Sequence, residues 1–408
     1  MKLRRAAIVA PIRTAVGKFG GALSPLSAGE LGAVVIKALM ERTGIDPARV
    51  DDVVFAQGYA SGEAPAIGRW SWLAAGMPEQ VPGYQLDRRC GAGLQAVIDA
   101  AMMVQTGASD IVVAGGVESM SNVEHYSTAL RNGVKMGDVS LHDRLTRARL
   151  MSQPIERYGV ISGMIETAEN LARDWNISRE QCDAYAVRSH QRAAAAWSQG
   201  LFDDELVPVA VPQRRGDPVL FRHDEGYRAN ASMETLGKLR PISEGTIDRP
   251  VVTAGNASQQ NDAAAACLVV AESKLEELGL EPIAWFHSWA AAGCDPSRMG
   301  IGPVPAVERL FARTGIGWSD IDLIELNEAF ASQVLAVLKG WGWSEDDSRH
   351  EVLNVNGSGI SLGHPIGATG VRILANLTRE LQRRNGRFGL ETMCIGGGQG
   401  IAALFERA

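Results

Sequence analysis

The apolar residues of the chain follow two alternating patterns. Short runs rich in β-branched and aliphatic residues at 53–55, 110–114 and 323–326 have the length and composition of buried strands. Residues 93–106 and 367–384 instead carry apolar side chains every three or four positions, which predicts helices buried along one face. Strands that alternate with helices predict an α/β fold.

One short pattern occurs twice. Residues 42–45, Arg-Thr-Gly-Ile, lead into the first of these strands, and residues 313–316 repeat the same four letters before the third, 271 positions later. Such a repeat predicts a duplicated unit of helix end, loop and strand. The same separation relates Cys90 to Ser361, which lies three residues before His364, so we expect the two copies to face one site.

Residues 121–250 differ from both flanks because they are polar and weakly periodic. We interpret them as an inserted loop domain with small helices of its own. The first half of the core would then comprise residues 1–120 with 251–275, and the second half residues 276–408. Within the insertion, Ser178 with a glutamine three residues later has the spacing of a capping box, which predicts a helix start.

Length and composition narrow the classes of protein. The 408 residues exceed what one hydrophobic core usually supports, and 46% hydrophobic with 21% charged residues is typical of a soluble globular protein. A formal net charge of −7 argues against a nucleic-acid-binding protein. The apolar stretch near the amino terminus is broken by Pro11 and Arg13, which favours a strand over a signal peptide, and no long apolar run predicts a membrane span. We therefore expect a cytoplasmic protein without nucleic-acid or membrane partners.

The five cysteines are scattered and odd in number, which argues against a disulfide framework, and no CxxC pair predicts zinc. We interpret Cys182, Cys267 and Cys294 as small hydrophobic side chains of the core. Cys90 differs because it lies between an extended segment and a predicted helix, with glycines close behind it. A helix N-terminus stabilises a thiolate, so Cys90 is a candidate nucleophile; a buried cysteine at a tight turn is the alternative.

Three further segments contain residues of the types that are common in binding sites. Residues 354–370 surround His364 with glycines whose GxGxxxG spacing does not fit a dinucleotide fingerprint, so we expect this loop to position the histidine. Cys394 precedes a glycine run that permits close backbone approach to a ligand, the alternative being a flexible turn. Asn327 follows a predicted strand at the end where ligand groups gather, although a helix cap is the plain alternative. We interpret the other six of the seven histidines as solvated surface residues.

Taken together, the segments around Cys90, Asn327, His364 and Cys394 resemble the thiolase family. Three more segments resemble it as well: residues 7–20, 253–262 and 299–305. The resemblance covers the whole chain and implies an α/β fold with a duplicated αβαβα five-layer core and a long inserted loop domain. It implies an acyltransferase that cleaves 3-ketoacyl-CoA with coenzyme A, or runs the reverse condensation, without a metal or a permanently bound cofactor.

The resemblance also implies a role for each residue. Cys90 would form the acyl-enzyme, His364 would accept its proton, and Cys394 would act as the second acid and base. Asn327 would hold a water beside one oxyanion, and the backbone N–H groups of Cys90 and Gly396 would bind the other. Coenzyme A would contact a second group of residues: Ser258, Met164, Arg228, Ala329 and Phe330.

The partners that the resemblance implies are acetyl-CoA, coenzyme A and 3-ketoacyl-CoA. Family members usually assemble across two-fold axes, so we expect a homodimer or homotetramer. The apolar strand near residues 111–114 is the part of the chain that we expect at the contact between subunits.

The chain departs from the family pattern beside Met164. Gly163 occupies the position at which acetoacetyl-specific members carry a histidine, and Ile165 replaces an expected glycine. Loss of the histidine removes bulk and polarity from the acyl pocket. We therefore expect a pocket that accepts medium-length, branched or cyclic 3-ketoacyl groups, unless a loop of the insertion refills the space.

Two other classes of protein share this fold. A ketosynthase or a hydroxymethylglutaryl-type synthase resembles a thiolase but replaces the second cysteine, so Cys394 favours a thiolase. A non-catalytic acyl-CoA-binding or lipid-binding protein should have lost at least one of the four residues that carry the resemblance. All four are present.

Overall fold

A computed structural model of the protein describes residues 3–161 and 163–408. Its strands are β1 (Ala6–Thr14), β2 (Gly17–Lys18), β3 (Asp52–Ala56), β4 (Gly83–Leu86), β5 (Ile111–Ser119), β6 (His125–Tyr126), β7 (His142–Asp143), β8 (Leu206–Val207), β9 (Val209–Val211), β10 (Val219–Phe221), β11 (Asn261–Ala271), β12 (Ala284–Gly293), β13 (Leu323–Leu326), β14 (Phe388–Ile395) and β15 (Gln399–Arg407). Its α-helices are α1 (Ala28–Thr43), α2 (Ile67–Ala74), α3 (Ala92–Thr106), α4 (Arg144–Leu150), α5 (Ile155–Tyr158), α6 (Met164–Asp174), α7 (Arg179–Ser198), α8 (Met233–Gly237), α9 (Glu272–Leu278), α10 (Pro303–Thr314), α11 (Ala331–Gly340), α12 (Gly359–Leu362) and α13 (Ile366–Arg384). The elements predicted from apolar spacing are confirmed as β3, β5, β13, α3 and α13.

Strand β1 is where the two halves of the core meet. The main sheet runs in the order β13-β14-β15-β12-β1-β11-β5-β3-β4, with β2 and β8 paired beside this path. Ala6 of β1 lies opposite Ala271 of β11 on one side and Phe286 of β12 on the other. The sheet therefore divides at β1 into one layer formed by β12 to β15 and one formed by β1, β3, β4, β5 and β11.

Three apolar clusters fill the spaces around these sheet layers. α3 and α13 pack between the layers, where Leu94 and Leu374 share a cluster with Val112 of one layer and Ile401 of the other. α1 and α2 cover the outer face of one layer, and α10 and α11 cover the outer face of the other. The resulting αβαβα order confirms the predicted fold class.

The predicted duplicated unit is present, but the predicted correspondence between Cys90 and Ser361 is wrong. α1 and α10 each end at a left-handed glycine, Gly44 and Gly315, and each leads through a short 3₁₀ turn into a strand, β3 or β13. Further along, the residues that end α3 and α13, Gly107 and Asn385, are 278 positions apart instead of 271. Ser361 is therefore not the counterpart of Cys90, because it lies in α12, a separate short helix before α13.

The region 121–250 contains α4 to α8 and only short strands. The capping box at Ser178 is confirmed, and the helix it begins, α7, has 20 residues, longer than the small helices expected there. β8 pairs with β1, with Leu206 opposite Arg13, so this region is hydrogen-bonded to the main sheet. Across residues 3–161 and 163–408, no helix is both long and apolar enough to cross a membrane.

The strand expected at a subunit contact lies inside the sheet. β5 is hydrogen-bonded to β11 on one side and to β3 on the other, and all of its residues are buried. It offers neither a free edge nor an exposed face. The prediction that residues 111–114 contact a second subunit is therefore wrong.

Candidate active site

A cavity of about 540 Å³ lies where the two halves and the region 121–250 meet. Most of the residues predicted for the site line it: Cys90, Met164, Ser258, Ala329, Phe330, His364 and Gly396. Cys394 and Asn327 are fully buried and do not line it, and Arg228 is exposed and lies outside it. The structure thus brings members of both predicted groups, catalytic and coenzyme A-binding, to one cavity.

Cys90 lies in the 3₁₀ turn Arg89–Gly91 directly before α3. An added Cβ at Gly91 would lie 2.6 Å from the end of the Ile395 side chain in β14, so glycine lets this turn pack closely on that strand. Burial raises the pKa of the Cys90 thiol, and the N–H of Gly396 and the charge of Arg89 offset this only in part. Burial thus opposes the thiolate that a helix N-terminus favours, so a base that takes the thiol proton assists attack by the sulfur.

His364 is a neutral base in the same cavity as this thiol. Its backbone N–H donates to Asn261 Oδ1 at 2.9 Å, and its Nδ1 lies 2.8 Å from Thr369 Oγ1. Burial, together with the charges of Arg372 and Arg149, lowers the pKa of His364 to about 3. The imidazole is therefore neutral at physiological pH, and the contact with Thr369 fixes the ring through Nδ1 and leaves Nε2 for another partner.

Asn327 follows β13, and its side-chain amide lies next to the imidazole of His364. Its Nδ2 lies 3.5 Å from both ring nitrogens of His364, which is too long for a strong hydrogen bond to either. Among the described residues, its buried Oδ1 has no hydrogen-bond partner. An added Cβ at Gly359 would lie 2.7 Å from that oxygen, so glycine leaves the amide room. A buried amide oxygen without a protein partner is the kind of group that holds an ordered water.

Cys394 is the penultimate residue of β14 and is fully buried. Burial raises its pKa well above the usual range, and the thiols of Cys90 and Cys294 nearby add to the shift. After the strand, Gly397 and Gly398 both have positive φ, and the carbonyl of Gly398 accepts from the Cys294 N–H at 2.8 Å. The glycine run therefore forms a tight turn between β14 and β15, beside which both predicted reactive thiols lie.

Glu328 fixes the loop that precedes His364, a role the sequence analysis does not assign. Its buried carboxylate accepts from Tyr185 Oη at 2.9 Å, from Ser189 Oγ at 2.6 Å and from the Ile360 N–H at 3.2 Å. These bonds join α7 to the segment that carries His364. The sequence feature that could have identified Glu328 is its position directly after Asn327, at the end of a strand.

The segment that carries Ser258, predicted to contact coenzyme A, pairs with the segment after Asn327. The Ser258 N–H donates to the Ala329 carbonyl at 2.9 Å, and Ala257 pairs with Phe330 as an isolated bridge. Both segments line the cavity, with Met164 also in the lining. This wall combines apolar side chains with a serine hydroxyl. Such a surface suits a ligand that has an extended chain with amide groups.

Arg228 is held by a buried histidine. Its backbone N–H donates to His190 Nδ1 at 3.2 Å, and His190 is 2% exposed. Burial, with the charge of Arg228, lowers the pKa of His190 to about 4. The interpretation of this histidine as a solvated surface residue is wrong, because α7 packs it beneath the segment that carries Arg228.

Tyr59, Arg149 and Gln260 also line the cavity, and the sequence analysis does not single them out. Each is a lone polar residue in a different segment, without a local pattern around it. Arg149 lies in the polar region 121–250, where charged residues are common. Only the fold brings the three together.

Comparison with known proteins identifies the family. Residues 6–273 match the thiolase N-terminal domain, and residues 280–407 match the thiolase C-terminal domain. The chain therefore belongs to the thiolase family.

Individual relatives are similar over their whole length. The chain is 46% identical to acetyl-CoA acetyltransferase of Chromobacterium violaceum, over 98% of this chain and 99% of that protein. It is 44% identical to beta-ketothiolase BktB of Cupriavidus necator, over 99% of both. Its structure matches acetyl-CoA acetyltransferase of Bacillus anthracis with a TM-score of 0.93 and 39% identity over 100% of both chains.

A further solved relative was determined with coenzyme A. Human mitochondrial 3-ketoacyl-CoA thiolase in complex with CoA matches with a TM-score of 0.90 and 36% identity, over 100% of this chain and 99% of that chain. The protein is accordingly an enzyme, an acyltransferase of the thiolase type that acts on coenzyme A thioesters by thiolytic cleavage or by condensation.

Proposed function

We propose that the protein cleaves 3-ketoacyl-CoA, and runs the reverse condensation, through an acyl group carried on Cys90. The observation that carries this proposal is the meeting of the Cys90 thiol and the His364 imidazole at one cavity. Cys90 and His364 both line it, and the N–H of Gly396 is directed at the Cys90 sulfur. A weakly acidic nucleophile beside a neutral base is the arrangement that covalent catalysis requires.

The first half-reaction transfers the acyl group to the enzyme. His364 takes the Cys90 proton at Nε2 while its Nδ1–H donates to Thr369. The Cys90 sulfur attacks the 3-keto carbon, and the C2–C3 bond breaks. The acyl group stays on Cys90, and the electron pair remains on C2 as the enolate of acetyl-CoA. Cys394 gives its proton to C2, and acetyl-CoA leaves.

The second half-reaction reverses these roles with a new thiol. Incoming coenzyme A gives its proton to Cys394, and its sulfur attacks the acyl carbon. The shortened acyl-CoA leaves, and the Cys90 sulfur recovers its proton from His364. The pKa of Cys394, raised by burial, suits a group that holds a proton until C2 becomes basic.

Two negatively charged oxygens form during these steps, and each needs donors aimed at it. The backbone N–H groups of Cys90 and Gly396 bind the oxygen of the attacked carbonyl. Both N–H groups are directed at the Cys90 sulfur, where their hydrogen bonds lower the pKa of the thiol. The enolate oxygen lies near His364 and a water held by Asn327. The unpaired Oδ1 of Asn327 supports this assignment.

Acetyl-CoA, coenzyme A and 3-ketoacyl-CoA are the proposed partners, with coenzyme A as a substrate and not as a resident cofactor. The pantetheine arm lies along Ser258, Ala329, Phe330 and Met164. Arg228, exposed and outside the cavity, is the candidate for the charged nucleotide end. Assembly into a homodimer or homotetramer and a cytoplasmic location remain predictions.

Two proposals on organisation accompany this one. The region 121–250 acts as an inserted loop domain that shapes the substrate site, which its lining residues between 146 and 243 support. Gly163, which also lines the cavity, leaves room for acyl groups longer than acetoacetyl: an added Cβ there meets no atom within 4 Å.

Incubation with acetyl-CoA alone tests the acyl-enzyme. Intact-protein mass spectrometry should find one added acetyl group, and peptide mapping should locate it on Cys90. Brief iodoacetamide treatment should label Cys90 first, and acetyl-CoA should protect it. Preferential labelling of Cys182 or Cys267 with loss of activity would contradict the assignment.

A further inference from the structure

Part of the cavity wall is polar and charged. The Nε–H of Arg149 donates to Tyr59 Oη at 3.2 Å. The Gln260 amide is satisfied when its oxygen faces the guanidinium, where it lies 3.2 Å from both Nη atoms. Tyr59 and Gln260 are both neutral, so these bonds satisfy donors of Arg149 without neutralising its charge.

Arg149 lacks a carboxylate partner in the described structure. Within residues 3–161 and 163–408 its side chain forms no ion pair, whereas Arg144 on the same helix pairs with Glu124 at 2.6 Å. The cavity lining holds a second guanidinium, that of Arg89, and one carboxylate, that of Glu166, which has an interaction of its own. The lining therefore carries more positive than negative charge, which favours an anionic ligand group.

The anion could come from the coenzyme A phosphates or from the acyl group, and location separates the two. The charge of Arg149 acts on His364, and Tyr59 lies near enough to Cys90 for the thiol to influence its phenol. These residues therefore surround the reacting atoms. The phosphates of a bound acyl-CoA are separated from its thioester by the whole pantetheine arm, so they do not reach this wall when the thioester lies at Cys90.

We propose that Arg149, with Tyr59 and Gln260, binds a carboxylate at the far end of the acyl chain. The preferred substrates are then 3-ketoacyl-CoA molecules derived from dicarboxylic acids. This inference rests on the proposed function, because it takes Cys90 and His364 as the site of cleavage. A carboxylate that replaces the Gln260 oxygen at the two Nη atoms accepts two parallel N–H bonds from the guanidinium, and the Tyr59 hydroxyl, which accepts from Nε–H, is a further donor.

Two substrates of equal chain length test the proposal. 3-Ketoadipyl-CoA and 3-ketohexanoyl-CoA both carry six-carbon acyl groups, but the first ends in a carboxylate and the second in a methyl group. We expect the wild-type kcat/KM for thiolysis to be about ten- to a hundredfold higher for the carboxylate substrate, as for a charge-assisted hydrogen bond. Equal values, or a preference for 3-ketohexanoyl-CoA, would overturn the proposal.

Variants at Arg149 assign the preference to this residue. Arg149→Met should lower the ratio of the two kcat/KM values at least tenfold, and Arg149→Lys should restore part of it, since a point charge replaces the planar fork. Arg147→Met is the matched control, because Arg147 lies on the same helix outside the lining, and it should leave the ratio unchanged. A purely structural role for Arg149 would lower both values equally and would contradict the proposal.

The results for the wild-type protein show whether this inference or the proposed function has failed. If wild-type protein cleaves neither six-carbon substrate nor acetoacetyl-CoA, the proposed function fails. If it cleaves the neutral substrates without preferring the carboxylate, only the assignment of Arg149 fails. Free adipate at millimolar concentration should inhibit thiolysis by wild type more than by Arg149→Met, which separates an acyl-side site from a phosphate site, at which free phosphate would inhibit instead.

Discussion

The two halves of the core use the same secondary structure for different chemistry. In the first half, the chain passes from β4 through one short turn into α3, and that turn holds Cys90. In the second half, Leu353 pairs with Ile324 of β13 in the place that β4 takes beside β3, and the chain then passes through α12 before it reaches His364 and α13. The nucleophile thus needs only a tight turn, whereas the base needs an enclosing loop, fixed by Glu328, that keeps it buried and neutral.

The halves also meet where α3 and α13 cross, and both helices carry glycine there. An added Cβ at Gly370 would lie 2.0 Å from the Leu94 nitrogen, and one at Gly93 would lie 2.7 Å from the Gly367 carbonyl oxygen. Backbones this close bring the beginnings of the two helices together. Cys90 and His364, one from each half, therefore reach the same cavity.

Exchange of each cysteine for serine should produce the largest effects. Cys90→Ser should abolish the acyl-enzyme and lower kcat by a factor on the order of 10⁴ or more, because no adequate nucleophile remains. Cys394→Ser should still be acetylated at Cys90, while turnover falls about 10²- to 10⁴-fold, because a hydroxyl is a poor acid and base here. Mass spectrometry after mixing with acetyl-CoA measures acylation directly.

Cys182→Ala is the control for these variants, since Cys182 packs in the apolar core away from the cavity, and its kcat should stay near that of wild type. Acetylation of Cys394 in the Cys90→Ser variant would mean that the halves have exchanged roles.

The helix crossing should be the next most sensitive feature. Gly370→Ala should lower the free energy of unfolding by about 2 kcal/mol or more, because the new methyl group meets backbone that cannot move without separating the helices. Gly317→Ala is the matched control, since an added Cβ there meets no atom within 4 Å. Thermal and urea unfolding compare the two. Equal stability of both variants would show that the halves do not depend on this contact.

The low pKa of His364 predicts how activity depends on pH, and this dependence tests whether the loop of the second half keeps the base neutral. A pKa lowered to about 3 keeps the imidazole neutral as pH falls from 7 to 5.5, so kcat/KM should change less than about twofold over that range. A histidine of ordinary pKa would lose about eightfold in its neutral form. The pH dependence of kcat/KM with acetoacetyl-CoA measures this. An inflection near pH 6.5 would mean that the loop does not desolvate the base.

Chain-length preference should give the smallest effect. We expect wild type to cleave 3-ketohexanoyl-CoA at least as well as acetoacetyl-CoA, since each buried methylene adds about 0.8 kcal/mol, or roughly fourfold. Gly163→His should shift the ratio toward acetoacetyl-CoA.

Gly163 has a φ of 144°, so any side chain strains the backbone there, and Gly163→Ala is the control that carries the strain without the imidazole. Identical ratios in the two variants would show that position 163 does not govern chain length.

The sequence predicted what depends on local pattern. Apolar spacing was sufficient for α3, α13, β3, β5 and β13, because each is long or strongly biased. It was also sufficient for the fold class, because strands alternated with helices throughout. The subunit contact at β5 failed because an apolar strand has the same composition whether it is central or at an edge, and only its pairing distinguishes the two.

The site could be predicted in part for a related reason. Cys90, His364 and Cys394 lie beside glycines, so a dense local pattern identifies them. Arg149 and Thr369 have no such pattern, because their importance comes from contacts with segments distant in sequence. The direction of the Cys90 pKa shift was also beyond the pattern, since a helix start favours a thiolate and only the burial of the thiol in the folded protein opposes it.

The central position of β1 has a consequence for synthesis of the protein on the ribosome. Ala6 pairs with Ala271 and Phe286, which are translated 265 and 280 residues later. Until then the nascent chain presents a strand of nine residues, nearly all apolar, without either neighbour. Such long-range pairing makes folding slow and exposes unpaired edges during translation. β1 can therefore pair with β11 as soon as the first half is made, but its other edge stays unpaired until β12 of the second half follows, and a chaperone that covers this edge would bridge the interval.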